Sequence, residues 1–352
     1  MAERQLGIGV IGAGGIANGA HLNNYARNPR VKLVAVADID LAKAKTAADK
    51  WGIPHYYADY HDVINHPDVE AVSVTTWPTA HAAPVIAAAA AGKHILCEKP
   101  IATTLADADA MVAAAERAGV KFAMGYQPQF GRVWPAVKNL IDEGVCGRLM
   151  GMSVIGLSPS SHRVPWILSH ELAGGGILMD WGIYTSYFLQ WLLGPVESVS
   201  AQKEIFRKEV YVGETLLTDI DVEDTVAATL RFKNGMLGTW YLGWAVAASH
   251  SSTSIDGSAG SILMRSGEAG IGVYTNAVAQ PDYLNGWRQL PVTEMALVDQ
   301  HYAKLAHLVD AVLDDTPLVQ TGAAGRDALE LVLAIYRAAE TGQIVHLPMA
   351  RS

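Results

Sequence analysis

The chain has 352 residues, and a typical domain length of about 150 residues predicts two domains. Half of the residues are hydrophobic and 17% are charged, which predicts a globular protein with additional surface buried between identical subunits. The formal charge of −9 comes without basic clusters or acidic blocks, so small molecules are expected as partners, with no nucleic acid and no membrane.

The start of the chain and its cysteines predict a cytoplasmic protein. Residues 1–5 lead directly into an apolar run and leave no room for a cleavable signal segment. No stretch reaches the roughly 18 apolar residues of a membrane span, and the alanine-rich run 82–91 is expected to be a buried helix. Cys97 and Cys146 lack the spacing of a redox or metal pair, so both are expected to be free thiols. The histidines show no metal-ligand pattern, and no metal site is predicted.

A glycine-rich turn follows the first apolar run, 6–11, and has the sequence Gly12-Ala13-Gly14-Gly15-Ile16-Ala17. Gly12 permits a tight turn out of the strand, and Gly14 lets the backbone approach a diphosphate. The diphosphate is expected at the N–H groups of the following helix, beside Gly15 and Ile16. The spacing therefore predicts a dinucleotide site.

Asp38 ends the second apolar run, 31–37, about 20 residues after the glycine turn, where a carboxylate bonds the ribose hydroxyls. A 2′-phosphate beside Asp38 would meet like charge with no arginine nearby, so NAD is favoured over NADP. Asp40 is interpreted as the cap of a helix that begins at Leu41.

Short β-branched runs alternate with alanine-rich helical runs through residue 124. This alternation predicts a doubly wound parallel Rossmann sheet over 1–124, with ligands beyond the carboxyl ends of its strands. The predicted strands are 6–11, 31–37, 71–74, 94–97 and 121–124, and the predicted helices are 42–50, 84–91 and 106–118.

After Gly125 the regular alternation of short strands and helices ends. Residues 125–352 are predicted to form an α+β domain that binds substrate and mediates oligomerisation. Its sheet is expected to be mostly antiparallel, with a hairpin at Asn234-Gly235. Aromatic residues of the second hairpin strand, Trp240, Tyr241 and Trp244, are expected either to face a partner sheet or to pack within the domain. The predicted elements are helices 132–143, 174–193, 298–314 and 323–341, and strands 148–156, 225–232, 236–244, 252–255 and 261–264.

Three residues are candidates for the chemistry. Lys99 follows the strand 94–97 on the cofactor side of the predicted sheet, where an ammonium group can stabilise alkoxide charge on a substrate oxygen. Asp180 and Tyr184 lie four residues apart on one helix face, and the carboxylate there calls for a cation such as Lys99. The alternatives are a solvated loop lysine, an acid that complements the helix dipole and a core aromatic.

Taken together, these motifs resemble the glucose-fructose oxidoreductase, inositol dehydrogenase and MocA (Gfo/Idh/MocA) family over essentially the whole chain. The resemblance rests on the glycine turn and on three further motifs: Glu98-Lys99-Pro100, Gly174-Gly175-Gly176 with Asp180 to Tyr184, and the hairpin after Glu223-Asp224. It implies a Rossmann domain and an α/β domain whose open sheet forms homodimers or homotetramers. It also implies NAD(P)-dependent oxidation or reduction of sugars, polyols or related carbonyls, with Lys99 and Asp180 as active-site residues.

Tyr184 departs from the commonest pattern of the family, in which histidine is the acid/base. In this respect the chain is similar to the branches of glucose-fructose oxidoreductase and dimeric dihydrodiol dehydrogenase. Our hypothesis is that Tyr184 exchanges the hydroxyl proton, Lys99 provides electrostatic stabilisation or relays the proton, and Asp180 orients Lys99 while hydride passes to or from nicotinamide. An ordinary tyrosine pKa near 10 makes a neighbouring cation necessary.

Further contacts are predicted around these motifs. By resemblance the loop with Thr75, Trp77 and His81 skirts the cofactor, although His81 is equally well explained as a capping or surface residue. Cofactor contacts are also expected from Glu98, Lys99 and Gln127, and substrate contacts from Lys99, Arg163, Trp166, Asp180 and Tyr184.

The predicted function is NAD-dependent hydride transfer between nicotinamide and a sugar, polyol or related cyclic alcohol or carbonyl. Two alternatives stay open. One is a glycoside hydrolase that uses NAD for transient oxidation, and the other is a non-catalytic NAD-binding sensor.

Overall fold

The structure is a computed structural model that describes residues 4–159, 164–266, 270–276, 286–293 and 296–350. The chain divides into two units. Unit 1 comprises Met1–Phe130 and Met295–Leu329, and unit 2 comprises Gly131–Glu294 and Glu330–Ser352.

The regular elements follow in chain order. The strands are β1 (Leu6–Ile11), β2 (Val31–Ala37), β3 (His55–Tyr57), β4 (Ala71–Val74), β5 (His94–Cys97), β6 (Phe122–Met124), β7 (Leu149–Leu157), β8 (Val196–Glu204), β9 (Val210–Val212), β10 (Thr215–Leu217), β11 (Thr225–Phe232), β12 (Leu237–Gly243), β13 (His250–Gly257), β14 (Gly260–Arg265), β15 (Ile271–Thr275), β16 (Arg288–Leu290) and β17 (Val345–His346). The α-helices are α1 (Asn23–Ala26), α2 (Leu41–Trp51), α3 (Tyr60–Ile64), α4 (Ala82–Ala90), α5 (Leu105–Ala118), α6 (Val133–Asp142), α7 (His170–Ala173), α8 (Ile183–Leu193), α9 (Leu297–Leu313) and α10 (Gly322–Thr341). Turns with π-helical geometry, Ala17–Leu22 and Leu178–Gly182, lead into α1 and α8.

Unit 1 contains a parallel sheet whose strand order, among the described residues, is β3-β2-β1-β4-β5-β6. The chain winds outward from β1 in both directions, which confirms the predicted doubly wound Rossmann fold. Strands β1 and β4 are buried along their whole length, as parallel strands covered on both faces require. The side chain of Asp40 accepts a hydrogen bond from Ala42 N at the start of α2, so the predicted helix cap is confirmed.

The division of the chain differs from the expected boundary between 124 and 125. Helix α9 and the first turns of α10 belong to unit 1. The reason is packing, since Leu305, Leu308 and Val309 share one apolar cluster with Leu6 and Ile8 of β1. An amphipathic repeat shows which helix face is buried, but it does not show which sheet covers that face.

Unit 2 contains a mostly antiparallel sheet with the described order β16-β15-β14-β13-β7-β12-β11-β8-β17. One pairing in this sheet, β7 with β12, is parallel. The predicted mostly antiparallel sheet is therefore confirmed. Trp240 and Trp244 are buried within unit 2, which favours intradomain packing for both, whereas Tyr241 is 39% exposed on the opposite face of β12.

None of the helices in the described part of the chain combines the length and apolar composition that crossing a bilayer requires. Cys97 and Cys146 are buried free thiols, as predicted. Within the described ranges, no group of three His, Cys, Asp or Glu side chains is arranged to hold a metal ion.

Candidate active site

The glycine turn after β1 is shaped by close backbone packing at Gly12 and by open space at Gly14 and Gly15. Gly12 has a φ of +95°, and a Cβ there would lie 2.9 Å from the carbonyl carbon of Thr75. A Cβ at Gly14 or Gly15 would meet no atom within 4 Å. Gly12 is therefore required by the fold, whereas the two exposed glycines leave room for a ligand against the backbone.

Asn18 holds this turn in place, a role that sequence reasoning missed. Its Nδ2 donates to Ala13 O at 2.8 Å and to Gly14 O at 3.1 Å, and its Oδ1 accepts from Trp51 Nε1 at 3.0 Å. The side chain thus joins the glycine turn to the end of α2. An amide four residues after the second glycine was the available sequence signal.

Asp38 lies at the carboxyl end of β2 with its carboxylate facing the glycine turn. Ala13 N donates to Asp38 Oδ2 at 2.8 Å, and Asp40 N donates to Oδ1 at 2.9 Å. Each carboxylate oxygen can accept a further hydrogen bond, so Asp38 is held in a fixed position while it keeps acceptor capacity for a ligand.

A cavity of about 340 Å³ opens between the glycine turn, Asp38 and the loop after β4. Its lining residues are Ile11, Gly12, Gly14, Ala37, Asp38, Ile39, Lys43, Ala58, Tyr60, Thr75, Thr76, Trp77, Ala80, Ala83 and Pro84. The structure therefore brings the predicted cofactor residues Gly12, Gly14, Asp38, Thr75 and Trp77 to one cavity. The size suits part of a small ligand such as a nucleotide.

Several lining residues escaped the sequence analysis. Ile39 is 89% exposed, directly follows Asp38 and forms part of the cavity wall. Lys43 and Tyr60 come from α2 and α3, and no sequence spacing links them to the glycine turn.

Other predicted cofactor residues of unit 1 do not line this cavity. Gly15 and Ile16 are exposed at the start of the helical segment that follows the turn. Gln127 lies in a short 3₁₀ turn after β6, and its Oε1 is buried without a hydrogen-bond partner among the described residues.

His81 is completely buried, which excludes the surface alternative. Its Nδ1 lies 2.8 Å from Pro100 O, and its Nε2 lies 3.1 Å from Thr76 O. Burial lowers the pKa of His81. The ring lies between the loops that follow β4 and β5 and is within hydrogen-bond distance of a carbonyl oxygen in each.

The turn Glu98-Lys99-Pro100 follows β5 and contains a cis Lys99–Pro100 peptide bond. The Glu98 carboxylate points into unit 1, where its Oε1 lies 2.9 Å from His21 Nε2 and 2.5 Å from Lys304 Nζ. Burial alone would raise the pKa of Glu98, but Lys304 and His21 outweigh burial and hold that pKa well below its usual range. Sequence reasoning missed His21 and Lys304, because nothing in their spacing relates them to Glu98.

In unit 2, Asp180 lies in the π-helical turn before α8, and Tyr184 lies in the first turn of α8. Both side chains are half-buried. Single π-helical turns occur frequently at functional sites, and the ideal α-helical spacing assumed from the sequence does not capture this geometry.

Glu223 fixes the start of the segment that carries Asp180. Gly176 N donates to Glu223 Oε2 at 2.9 Å, and Leu178 N donates to Oε1 at 3.0 Å. Tyr336 donates its hydroxyl hydrogen to the same Oε1 at 2.8 Å. Burial raises the pKa values of Glu223 and Tyr336.

Close approach explains two of the three consecutive glycines. A Cβ at Gly176 would lie 1.8 Å from Glu223 O, and one at Gly175 would lie 2.2 Å from the Tyr336 hydroxyl oxygen. Gly174 has a φ of +76° at the end of α7. The glycine run therefore lets the backbone meet the Glu223 carboxylate.

Of the two predicted substrate residues before the glycine run, Trp166 lies half-buried in the 3₁₀ turn Pro165–Leu168. Arg163 lies outside the described residues.

Comparisons with known proteins identify the class. The oxidoreductase family model GFO_IDH_MocA, with an NAD-binding Rossmann fold, matches residues 6–126, and the GFO/IDH/MocA C-terminal domain model matches 134–263. The chain belongs to the Gfo/Idh/MocA family of NAD-binding oxidoreductases.

Three similar proteins are 24–32% identical to the chain over the residues that align. Myo-inositol 2-dehydrogenase of Thermotoga maritima is 32% identical over 232 residues, and the match covers 66% of either chain. 1,5-Anhydro-D-fructose reductase of Ensifer adhaerens is 28% identical over 347 residues, 96% of this chain and 98% of the reductase. The structure of levoglucosan dehydrogenase in complex with NADH and L-sorbose superposes with a TM-score of 0.87 at 24% identity, covering 99% of this chain and 100% of the other, and shows the same fold.

Proposed function

We propose that the protein is an NAD-dependent oxidoreductase that interconverts an alcohol and a carbonyl on a sugar, polyol or related cyclic substrate. The observation that carries this proposal is the cavity in unit 1 between the glycine turn and Asp38. A dinucleotide requires two features that this cavity has. The space over Gly14 is open, and the Asp38 carboxylate is held in a fixed position and can still accept hydrogen bonds.

The residues of this cavity suit NAD. The exposed backbone of Gly14 and Gly15 receives the diphosphate at the start of a helical segment, and Asp38 accepts the ribose hydroxyls. The negative charge of Asp38 disfavours a 2′-phosphate, so NAD is preferred to NADP. When bound, the nicotinamide supplies the acceptor or donor of hydride.

We assign the remaining chemistry to Lys99 of unit 1 and to Asp180 and Tyr184 of unit 2. Tyr184 exchanges the proton of the substrate hydroxyl, Lys99 stabilises the developing alkoxide, and Asp180 is the active-site carboxylate that the resemblance implies. The family resemblance supports this grouping, as does the position of Lys99 at the carboxyl end of a Rossmann strand. Trp166 and Arg163 are proposed substrate contacts on the same basis.

The substrate class follows from the names of relatives. Three of the relatives are named for myo-inositol, 1,5-anhydro-D-fructose and levoglucosan, and each of these compounds is a polyhydroxylated ring. We assign unit 1 to NAD binding, and unit 2 to substrate binding and oligomerisation.

Free thiols and the NAD cofactor are compatible with the cytoplasmic location that we propose.

The open face of the unit 2 sheet is the proposed contact with a second copy of the chain. Opposed residues of β11 and β12 on this face, Thr229 with Thr239 and Ala227 with Tyr241, are exposed and small or aromatic. A homodimer or homotetramer in light scattering supports the proposal, and a smaller assembly is expected for Thr239→Arg. A monomeric wild type contradicts it.

The function is tested by following NADH absorbance with NAD and a panel of inositols, aldoses, glycosides, anhydro sugars and lactones. We expect NADH to accumulate together with a ketone or lactone product. Glycoside cleavage without net NADH would instead establish the hydrolase alternative. Tight NAD binding with no turnover across the panel would establish a sensor.

A further inference from the structure

A buried ion pair lies beneath the turn that carries Lys99. The side chain of Lys304 is 1% exposed and that of Glu98 is 7% exposed, and Nζ lies 2.5 Å from Oε1. His21, which is fully buried, lies with Nε2 2.9 Å from the same oxygen. All three residues belong to unit 1.

The surroundings of the ion pair determine the protonation state of the two histidines next to it. Burial, aided by the Lys304 charge, lowers the pKa of His21, and burial lowers the pKa of the neighbouring His301 to about 4. Both rings are therefore neutral near neutral pH. His21 donates its Nε2 hydrogen to Glu98, which leaves Lys304 as the cation that balances the carboxylate.

Net stability is a poor explanation for such a pair. Moving two charges out of water is unfavourable, and buried ion pairs replaced by apolar residues of similar size are often no less stable. A lysine that is almost completely buried on α9 therefore calls for a role beyond holding that helix in place.

The Glu98 carboxylate connects three parts of unit 1, one of which directly follows the glycine turn. Through His21 it reaches the π-helical turn that follows the glycine loop. Through Oε2 it accepts a long hydrogen bond of 3.3 Å from Lys99 N. Through Lys304 it reaches α9, about 200 residues further along the chain.

Close packing fixes the carboxylate from the remaining side. A Cβ at Gly125 would lie 2.8 Å from the Glu98 carboxyl carbon, so the residue after β6 has to be glycine for Glu98 to occupy this position. Any loss of the Lys304 charge leaves a buried carboxylate uncompensated, and that carboxylate must then shift or take up a proton.

We propose that Lys304 and His21 are positioning residues of the NAD site, acting through Glu98. Lys304 sets the position and charge of the carboxylate, which in turn sets the backbone at Lys99. His21 transmits the same constraint to the helical segment behind the glycine turn. The inference rests on the proposed function of unit 1 and assigns α9 a part in it.

The test compares NAD dissociation constants by calorimetry with unfolding temperatures measured without NAD, and adds turnover on the best substrate. Lys304→Met should weaken NAD binding at least tenfold and lower the unfolding temperature. The neutral pair Glu98→Gln with Lys304→Met should recover most of the unfolding temperature while NAD binding stays at least tenfold weaker and kcat stays low.

A matched control lies on the same helix. Asp299 of α9 forms an exposed ion pair with Arg27 of unit 1, with Nη2 and Oδ1 3.2 Å apart. Asp299→Asn removes a charge contact of α9 without touching Glu98, so it should leave the NAD dissociation constant within twofold. A comparable loss of NAD binding in this control would mean that α9 docking in general, and not Lys304, matters.

A second variant covers the case in which loss of Lys304 prevents folding. His21→Leu leaves the Glu98–Lys304 pair intact and should weaken NAD binding about fivefold or more. NAD binding at the wild-type level in folded Lys304→Met or in His21→Leu overturns the inference, as does recovery of both stability and NAD binding in the double variant. Failure of wild type to bind NAD would instead refute the proposed function.

Discussion

Removal of the Asn18 side chain provides a sharp test of the glycine turn, because its contacts are few and are all defined. Asn18→Ala deletes the hydrogen bonds to Ala13 O and Gly14 O and leaves Trp51 Nε1 to find water. A net value of about 1 kcal/mol for each of the two backbone contacts gives about 2 kcal/mol of lost restraint on the turn. If the ligand has to restore this order, the NAD dissociation constant should rise about 10- to 30-fold.

Calorimetric titration of NAD measures this effect without knowledge of the substrate. Asn18→Asp is isosteric but turns the two donors into an acceptor that faces Ala13 O and Gly14 O, and it adds negative charge near the diphosphate site. It should bind NAD more weakly than Asn18→Ala. Trp51→Phe removes only the outer hydrogen bond and serves as the matched control, with a change below about fivefold. A folded Asn18→Ala protein that binds NAD within twofold of wild type would refute the reasoning.

Three further predictions follow from the two units. Gly14→Ala places a Cβ in open space, so its unfolding temperature should match wild type while NAD affinity falls at least about tenfold; unchanged affinity would show that no ligand approaches Gly14. Lys99→Met and Tyr184→Phe should each lower kcat about 100-fold or more, and Tyr184→Phe should leave NAD binding nearly unchanged. Near-full turnover in Tyr184→Phe would assign the acid/base role to Lys99. Tyr336→Phe loses one hydrogen bond to Glu223, worth about 1 kcal/mol, and should lower the unfolding temperature by about 2–4 °C in calorimetry; an unchanged value would show that this contact does not stabilise unit 2.

Local patterns in the sequence were sufficient to predict the parallel sheet and the glycine turn of unit 1. The glycine turn, the position of Asp38 and the alternation of strands and helices are short-range features, and each was found where expected. The cap at Asp40 was predicted for the same reason, because a cap depends on residues within one helical turn.

Contacts between distant segments were not predictable from one sequence. Helix α9 shows a clear amphipathic repeat, yet its place against β1 is decided by which apolar surfaces fit together. Lys304 illustrates the same limit for the site, because a lysine in a helix gives no sign that it pairs with a glutamate about 200 residues earlier.

The sequence analysis also missed the local backbone geometry of the segment that leads into α8. The run Gly174-Gly175-Gly176 was recognised as the start of a helix, but its cause is the approach of Glu223 and Tyr336, which only the folded unit 2 brings together. The π-helical turn at Asp180 likewise has no single-residue signature.

Calorimetric titration of the wild type and of Asp38→Ser with NAD and with NADP tests most directly the claim that NAD occupies the unit 1 cavity with its ribose on Asp38. The account predicts one NAD per chain, NADP binding at least about tenfold weaker, and a serine variant that loses at least about tenfold in NAD affinity and most of its preference over NADP. A wild type that binds no NAD, or a folded serine variant with unchanged affinity for both nucleotides, would contradict it.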